Sequence, residues 1–140
     1  MTDITPILDW FRKAVPNPTA ANVTTQIGCH FEEVDEMFEA IGITPTNISV
    51  VSDFLKNADE GYSNKIITDI DRTALLDSLC DQIVTAIGVA YMLGLDIQGA
   101  LNEVNASNWS KFENGGPVFH PNGKIAKGKN YFEPKLEPFV

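Results

Sequence analysis

The sequence has little of what marks a disulfide-stabilised, nucleic-acid-binding or secreted protein. Its only two cysteines, Cys29 and Cys80, each lie in an apolar helical pattern, which predicts buried reduced thiols without a disulfide, metal or redox role. Lys and Arg number 10 against 19 Asp and Glu, and the formal charge of −9 argues against a general nucleic-acid surface. A run of about eighteen apolar residues and a secretory signal are both missing. We therefore expect a cytoplasmic protein.

Strict alternation of polar and apolar residues, the pattern of β-strands, is nearly absent, and helical spacing takes its place. Five segments carry this spacing: 5–15, 25–41, 47–57, 72–95 and 97–112. Residues 58–72 predict a polar connector, and the glycines and prolines after Phe112 exclude a long helix and leave turns with room for one hairpin. A length of 140 residues with 44% hydrophobic content suits one domain. We predict an all-α antiparallel helical bundle over residues 1–140, with an irregular basic arm over 112–140.

The stretch CHFEEVDEMFEAIG, residues 29–42, places five carboxylates within eight residues of a predicted amphipathic helix. Glu33 and Glu36 are three residues apart, so their carboxylates are neighbours on the helix surface. Two like charges about 4 Å apart repel by about 4 kcal/mol at an effective dielectric constant of about 20. A divalent cation would turn this repulsion into attraction. The alternative is a solvated acidic face.

A second acidic pair favours the cation. Asp77 and Asp81 are four residues apart and share a helix face with apolar residues such as Val84 and Tyr91, where an unpaired carboxylate is costly. Helical bundles commonly build metal sites from carboxylates on facing helices. Glu33 and Glu36 with this pair would make an all-oxygen site suited to Mg²⁺ or Mn²⁺.

The two acidic patterns resemble those of the MazG-like all-α nucleoside triphosphate pyrophosphohydrolases, which include dimeric dUTPases and phosphoribosyl-ATP pyrophosphohydrolases. The family has E-E-x-x-E on one helix and E-x-x-D on the next. EEVDE at 32–36 matches the first pattern, and SLCD at 78–81 matches the second with Ser78 in place of the usual Glu. The segments GVAYMLGLDIQGALNEVNASNWSKF and NGKIAKGKNYFEP are also similar to the family, so the resemblance spans roughly residues 25–134.

The resemblance implies hydrolysis of a nucleoside triphosphate to the monophosphate and pyrophosphate, with Mg²⁺ as the cofactor and Mn²⁺ as a substitute. The implied metal ligands are carboxylates: Glu33, Glu36, Asp81 and, in place of the missing Glu, Asp77. Glu32 is the implied base that orients the attacking water, or a further metal ligand. The implied phosphate ligands are the lysines Lys111, Lys124 and Lys127, and the amides Gln26 and Asn108 would orient the nucleotide or the acids.

Two other functions compete with this interpretation. Asp69, Asp71 and Thr73 form the D-x-D-x-T pattern of haloacid dehalogenase-like phosphatases, but that fold requires a series of strands that the sequence does not predict. The stronger competitor is a non-catalytic assembly or regulatory bundle whose carboxylates lie on its surface.

The predicted helix over residues 79–95 is apolar nearly all round. A four-helix monomer of this size could hardly cover such a helix, so we expect self-association through it as a homodimer or homotetramer. We expect a nucleoside triphosphate as the small-molecule partner, and neither a nucleic-acid polymer nor a membrane.

Overall fold

The computed structural model describes residues 3–40, 42 and 47–140, and within these ranges the protein is helical, with isolated β-bridges but without a β-strand. The α-helices are α1 Thr5–Ala14, α2 Ala20–Ala40, α3 Ile48–Lys56, α4 Glu60–Asp69, α5 Arg72–Met92 and α6 Ile97–Ser110, and a short 3-10 helix spans Glu137–Phe139. The all-α prediction is therefore confirmed.

The chain divides into two compact units. The α2 unit comprises Val15–Asp69 and Phe119–Ala126 and contains α2, α3 and α4. The α5 unit comprises Met1–Ala14, Ile70–Val118 and Lys127–Val140 and contains α1, α5, α6 and the 3-10 helix. The basic arm predicted over 112–140 thus contributes to both units, and the single domain over 1–140 stays a prediction.

Helix α2 begins five residues before its predicted start at residue 25, because Thr19 and Asn22 cap it reciprocally. Asn22 Oδ1 accepts from the backbone N–H of Thr19, and Thr19 Oγ1 accepts from the backbone N–H of Asn22. This exchange satisfies backbone donors that a helix start leaves unpaired. The segment TAAN carried a capping signal that hydrophobic spacing did not reveal.

Helix α4 lies where the sequence predicted a polar connector. Asp59 caps it, since its side chain accepts from the N–H of Tyr62 and its carbonyl accepts from the N–H of Ser63. The buried residue of α4 is Ser63, whose hydroxyl shares a 2.9 Å hydrogen bond with Thr24 of α2. A helix that buries a serine has a weak apolar pattern, and this explains why the prediction missed it.

Small polar residues form the contact between α2 and α3. Ser52 Oγ donates to the carbonyl of Gly28 at 2.8 Å, and Thr24 and Ser52 are almost fully buried. Helical spacing predicts a buried apolar stripe on α2 formed by Phe31, Val34, Phe38 and Ile41, but the first three of these are only half-buried. Ile41, the last member of that stripe, lies outside the described residues.

Aromatic rings pack the α5 unit. Trp10 of α1 is buried and stacks on Phe112 with ring centroids 5.6 Å apart, and Trp109 meets Phe112 edge to face. The 3-10 helix closes on the start of α6, where the N–H of Asp96 donates to the carbonyl of Phe139 at 2.9 Å. Burial of these rings supplies much of this unit's core.

The segment with the D-x-D-x-T pattern joins two helices. Asp69 is the last residue of α4 and pairs with Lys65, and the side chain of Asp71 caps α5 by accepting from the N–H groups of Thr73 and Ala74. These acids therefore have structural roles at helix ends. The described residues contain no strand that would present Asp69 as a phosphatase nucleophile.

Helix α5 is exposed along nearly its whole length. Every residue from Asp71 to Ile87 is exposed, and in this helix only Ala90 is buried. Cys80 is among the exposed residues, so the prediction of a buried thiol is wrong for it, whereas Cys29 is half-buried. The apolar helix therefore leaves a large hydrophobic surface uncovered within its own unit.

Gly28 lies where α2 and α3 approach most closely. A Cβ at Gly28 would lie 2.8 Å from the carbonyl oxygen of Ser52 and 2.9 Å from the backbone nitrogen of Lys56. Backbone atoms cannot rotate away, so we expect Gly28→Ala to lower the free energy of unfolding by about 1–3 kcal/mol. Urea unfolding followed by circular dichroism measures this change.

The matched control for this variant is Gly61→Ala in α4 of the same unit. A Cβ there would meet only Asp59 Oδ1, at 3.3 Å, which is the end of a side chain. We expect a change within about 0.5 kcal/mol. Equal stability of the two variants would contradict the close approach of α2 and α3.

Candidate functional site

Glu32 in α2 is the centre of an ion-pair network in the α2 unit. Its Oε1 accepts from Lys56 Nζ of α3 at 3.2 Å, and its Oε2 accepts from Lys124 Nζ, which is far away in the sequence. Lys56 also pairs with Asp53 Oδ1 at 3.3 Å. The Glu32 side chain is 29% exposed and that of Lys56 10%, so solvent screens this network less than an exposed pair.

The charges of the network shift the pKa values of its members. Partial burial raises the pKa of Glu32, but the hydrogen bonds and positive charges of Lys124 and Lys56 outweigh it, so that its pKa lies below the ordinary value. Burial lowers the pKa of Lys56, but its hydrogen bonds to Glu32 and Asp53 raise the pKa by more. The pKa of Lys56 therefore lies above the ordinary value. Both shifts favour the charged forms of Glu32 and Lys56 at neutral pH.

Lys124 reaches Glu32 from a tight turn. The N–H of His120 donates to the carbonyl of Lys124 at 2.7 Å, and an antiparallel bridge joins Phe119 and Ile125. Gly123 permits the turn with φ = +82°, a backbone conformation that L side chains rarely adopt. The hairpin that the sequence allows in the arm is thus a short pairing of bridge length.

Three of the remaining acids of α2, Glu33, Glu36 and Glu39, lie on its surface, and so does Gln26. Asp35 is half-buried, and its Oδ1 has no hydrogen-bond partner among the described residues. Glu36 has no lysine or arginine partner among the residues that the structure describes. In the same part of the chain, no group of three or more His, Cys, Asp or Glu side chains could hold a metal ion. The structure thus separates Glu32, which two lysines neutralise, from its neighbours.

The second acidic pair belongs to the other unit. Asp77 and Asp81 are exposed on α5, with the carbonyl of Asp81 accepting from Thr85 Oγ1 at 2.8 Å. Ser78, which stands where the family has Glu, accepts from Gln82 Nε2 at 3.3 Å. The prediction that these two pairs share one cation therefore joins residues of both units, and it stays a prediction.

The other predicted substrate residues also lie in the α5 unit. Asn108 Oδ1 accepts from Lys111 Nζ at 2.7 Å, so these two are brought together at the end of α6. Lys127 is exposed, and its ammonium lies over the ring of Tyr131 at 4.6 Å from the centroid. Of the predicted phosphate ligands, only Lys124 belongs to the unit that contains Glu32.

Lys56 is the site residue that the sequence interpretation missed. It lies three residues after Asp53, a spacing that predicts an ordinary pair within one helix. Only the packing of α3 on α2, with Gly28 at the contact, brings Lys56 to Glu32. No motif in the sequence signals this partner.

The ion pairs predict a pH-dependent contribution of Glu32 to stability. Because its folded pKa is lowered, this contribution is present above the unfolded pKa of about 4.3 and is lost as the pH falls through the folded pKa. We expect Glu32→Gln to reduce the free energy of unfolding by about 1 kcal/mol at pH 7, and by much less near pH 3. Urea titrations at pH 7, 5 and 3 measure the difference.

Glu39→Gln is the control on the same helix, since Glu39 is exposed and has no ion pair among the described residues. We expect it to change stability by less than about 0.5 kcal/mol at each pH. A Glu32→Gln effect that grows on acidification, or that equals the control, would show that the lysines do not stabilise this carboxylate.

Comparison of the chain with protein-family models, with curated proteins and with solved structures finds no match.

Proposed function

We propose that this protein is a MazG-like helical bundle that hydrolyses a nucleoside or deoxynucleoside triphosphate to the monophosphate and pyrophosphate. The observation that carries the proposal is the contact of Glu32 with Lys124. Glu32 belongs to the first acidic pattern and Lys124 to the Gly-Lys arm, the two ends of the resemblance. An acid that orients water and a lysine that binds phosphate must meet at one site, and these two do.

The donor chemistry fits Mg²⁺, because the four proposed ligands are all carboxylates, which supply the oxygen atoms that this hard cation prefers. Glu33 and Glu36 are exposed on α2, and Asp77 and Asp81 are exposed on α5. Among the described residues no group of three or more His, Cys, Asp or Glu side chains could hold a metal ion, so the combination of ligands from α2 and α5 rests on the resemblance alone. Mn²⁺ has the same ligand preferences and is proposed as a substitute.

When bound, the metal supplies positive charge that neutralises the phosphates and activates water. In the proposed reaction a water oxygen bonds to the α-phosphorus, and the bond from that phosphorus to the bridging oxygen breaks, with pyrophosphate as the leaving group. Glu32, kept ionised by its lysines, orients the attacking water. Lys124 moves its charge from Glu32 to the phosphate oxygens, helped by Lys111 and Lys127.

The amides have positioning roles in this proposal. Asn108 holds the ammonium of Lys111 at 2.7 Å and so orients it for a phosphate oxygen. Gln26 is exposed on α2, about two helical turns before the acids, and is proposed to contact the nucleotide.

We also propose that a second copy of this chain covers α5. By length and composition α5 could cross a membrane, and only 6% of its apolar window is buried. However, Asp77 and Asp81 lie well inside the helix, where a bilayer would make two carboxylates costly. A second copy would cover the apolar surface, and Asp77 and Asp81 would remain available to bind a metal ion. A homodimer or homotetramer therefore suits the helix better than a membrane does.

Metal-dependent hydrolysis is tested by measuring pyrophosphate release from a panel of nucleoside triphosphates with Mg²⁺, Mn²⁺ or EDTA. We expect release with either metal and none with EDTA. Glu36→Gln and Asp81→Asn should each lower kcat by at least about 100-fold, since each removes a charged ligand.

The matched control is again Glu39→Gln, which removes one exposed carboxylate from the same helix and should keep kcat within about two-fold. Chromatography of the products should show nucleoside monophosphate in equal amount to pyrophosphate. Release of inorganic phosphate alone, or no hydrolysis with either metal, would contradict the proposed reaction and favour a non-catalytic assembly bundle.

Self-association is tested at α5 with two valines that are equally exposed, Val84 in α5 and Val50 in α3, each at 66%. We expect the wild-type protein to sediment as a dimer or tetramer at micromolar concentration. Val84→Lys should weaken association at least about ten-fold because it places a charge in the apolar surface, and Val50→Lys should not.

A single monomeric species for the wild-type protein would contradict association through α5. Co-flotation of the wild-type protein with lipid vesicles, lost in Val84→Lys, would instead identify a membrane as the partner of this surface.

A further inference from the structure

The α2 unit contains a cavity of about 470 Å³ that none of the predicted site residues accounts for. The first half of α2, the end of α3 and the turn before Lys124 border this open cavity, and its polar lining includes Asn22, Thr25, Asn57 and Asn122. Its volume lies in the range of small-molecule sites, about 300–1,000 Å³. It is large enough for one heterocyclic ring with an attached sugar.

We propose that this cavity binds the base of the nucleoside triphosphate, and that the asparagine amides of Asn22, Asn57 and Asn122 select the base. The identification of the ligand as a nucleoside triphosphate rests on the proposed hydrolysis. The cavity itself is a feature of the α2 unit alone.

A backbone partner fixes the orientation of each asparagine amide. Asn22 Oδ1 accepts from the N–H of Thr19, and Asn122 Oδ1 accepts from the N–H of Lys124 at 3.1 Å. Asn57 Nδ2 donates to the carbonyl of Asp53 at 2.8 Å. Within the described part of the chain, the opposite ends of these amides have no partner. The result is a fixed set of two amide donors, on Asn22 and Asn122, and one carbonyl acceptor, on Asn57.

The charges around the cavity favour an uncharged ligand. Lys56 is the only charged residue among those described that line the cavity, and it pairs with both Glu32 and Asp53. Its positive charge is therefore already compensated by these two carboxylates, which disfavours an added phosphate in the cavity. A neutral ring with donors and acceptors at its edge, as in a nucleobase, would find the amides and the hydroxyl of Thr25 as its uncharged polar partners, beside the apolar residues Ala21, Ala58 and Pro121.

The turn connects the cavity to the proposed phosphate ligand. Thr25 Oγ1 donates to the carbonyl of Asn122 at 3.0 Å and holds the turn against α2. Gly123 lines the cavity, and Lys124 follows it directly. A base held by the turn thus has its sugar and phosphates beside the lysine that binds Glu32.

The proposal predicts that two isosteric variants lose base binding and keep the fold. Asn22→Asp and Asn122→Asp preserve the oxygen that accepts from the backbone and replace the amide donor with an acceptor. We expect each to weaken nucleoside binding at least ten-fold without lowering the thermal midpoint by more than a few degrees. Asn64→Asp, on the exposed face of α4, adds the same charge to the same unit and should leave binding unchanged.

Binding is measured by ¹H–¹⁵N NMR titration of the full chain with five deoxynucleosides, those of uracil, cytosine, thymine, adenine and guanine, in the presence of EDTA. Saturable shifts of the Asn22, Asn57 and Asn122 side-chain amides with one of these, lost in both variants, support the proposal. Shifts elsewhere, or binding that survives both variants, overturn it.

A parallel assay of the same proteins with triphosphates and Mg²⁺ distinguishes this proposal from the proposed hydrolysis. Triphosphate hydrolysis with no nucleoside effect on the cavity amides overturns the base site and leaves the reaction in place. Nucleoside binding at these amides without hydrolysis of any triphosphate supports the base site and removes the reaction.

Discussion

The α2 unit depends on the pairing of one half-buried carboxylate with two lysines from different parts of the chain. A carboxylate in the position of Glu32 loses much of its hydration, and this loss is offset only because Lys56 and Lys124 each bind one of its oxygens. The two contacts fix α3 and the turn before Lys124 against α2. The cavity is bounded by these same three segments, so its shape follows from the charge balance at Glu32.

In the α5 unit, the longest helix contributes almost nothing to the hydrophobic core. The packing of this unit comes from Trp10, Phe112 and the contact of Phe139 with the start of α6. Helices draw most of their stability from burying an apolar face, and α5 buries little of its own. A partner that covers α5 would therefore stabilise the helix itself, and association and folding of this segment would be linked.

Helices α1, α3, α5 and α6 could be predicted from the sequence because their apolar residues recur at helical spacing. Helix α4 could not, since it is held by the cap of Asp59 and by a buried Ser63, and neither produces an apolar pattern. In the site, the family resemblance pointed to Glu32, but nothing in the sequence indicated Lys56, which reaches it only through packing at Gly28. Contacts between polar residues of different helices depend on how the helices pack, and hydrophobic periodicity does not predict them.

The lysine contacts distinguish Glu32 from Glu36 among the carboxylates of α2. The negative charge of Glu32 is compensated within the unit, so an arriving divalent cation gains less from it than from an acid such as Glu36, which has no basic partner in the described chain. An arriving phosphate attracts Lys124, whose side chain is more exposed than that of Lys56 and whose withdrawal is thus less costly. Lys56 stays with Glu32 in either case. On the proposed function, the buried lysine therefore keeps Glu32 ionised while the exposed one exchanges a carboxylate for the substrate.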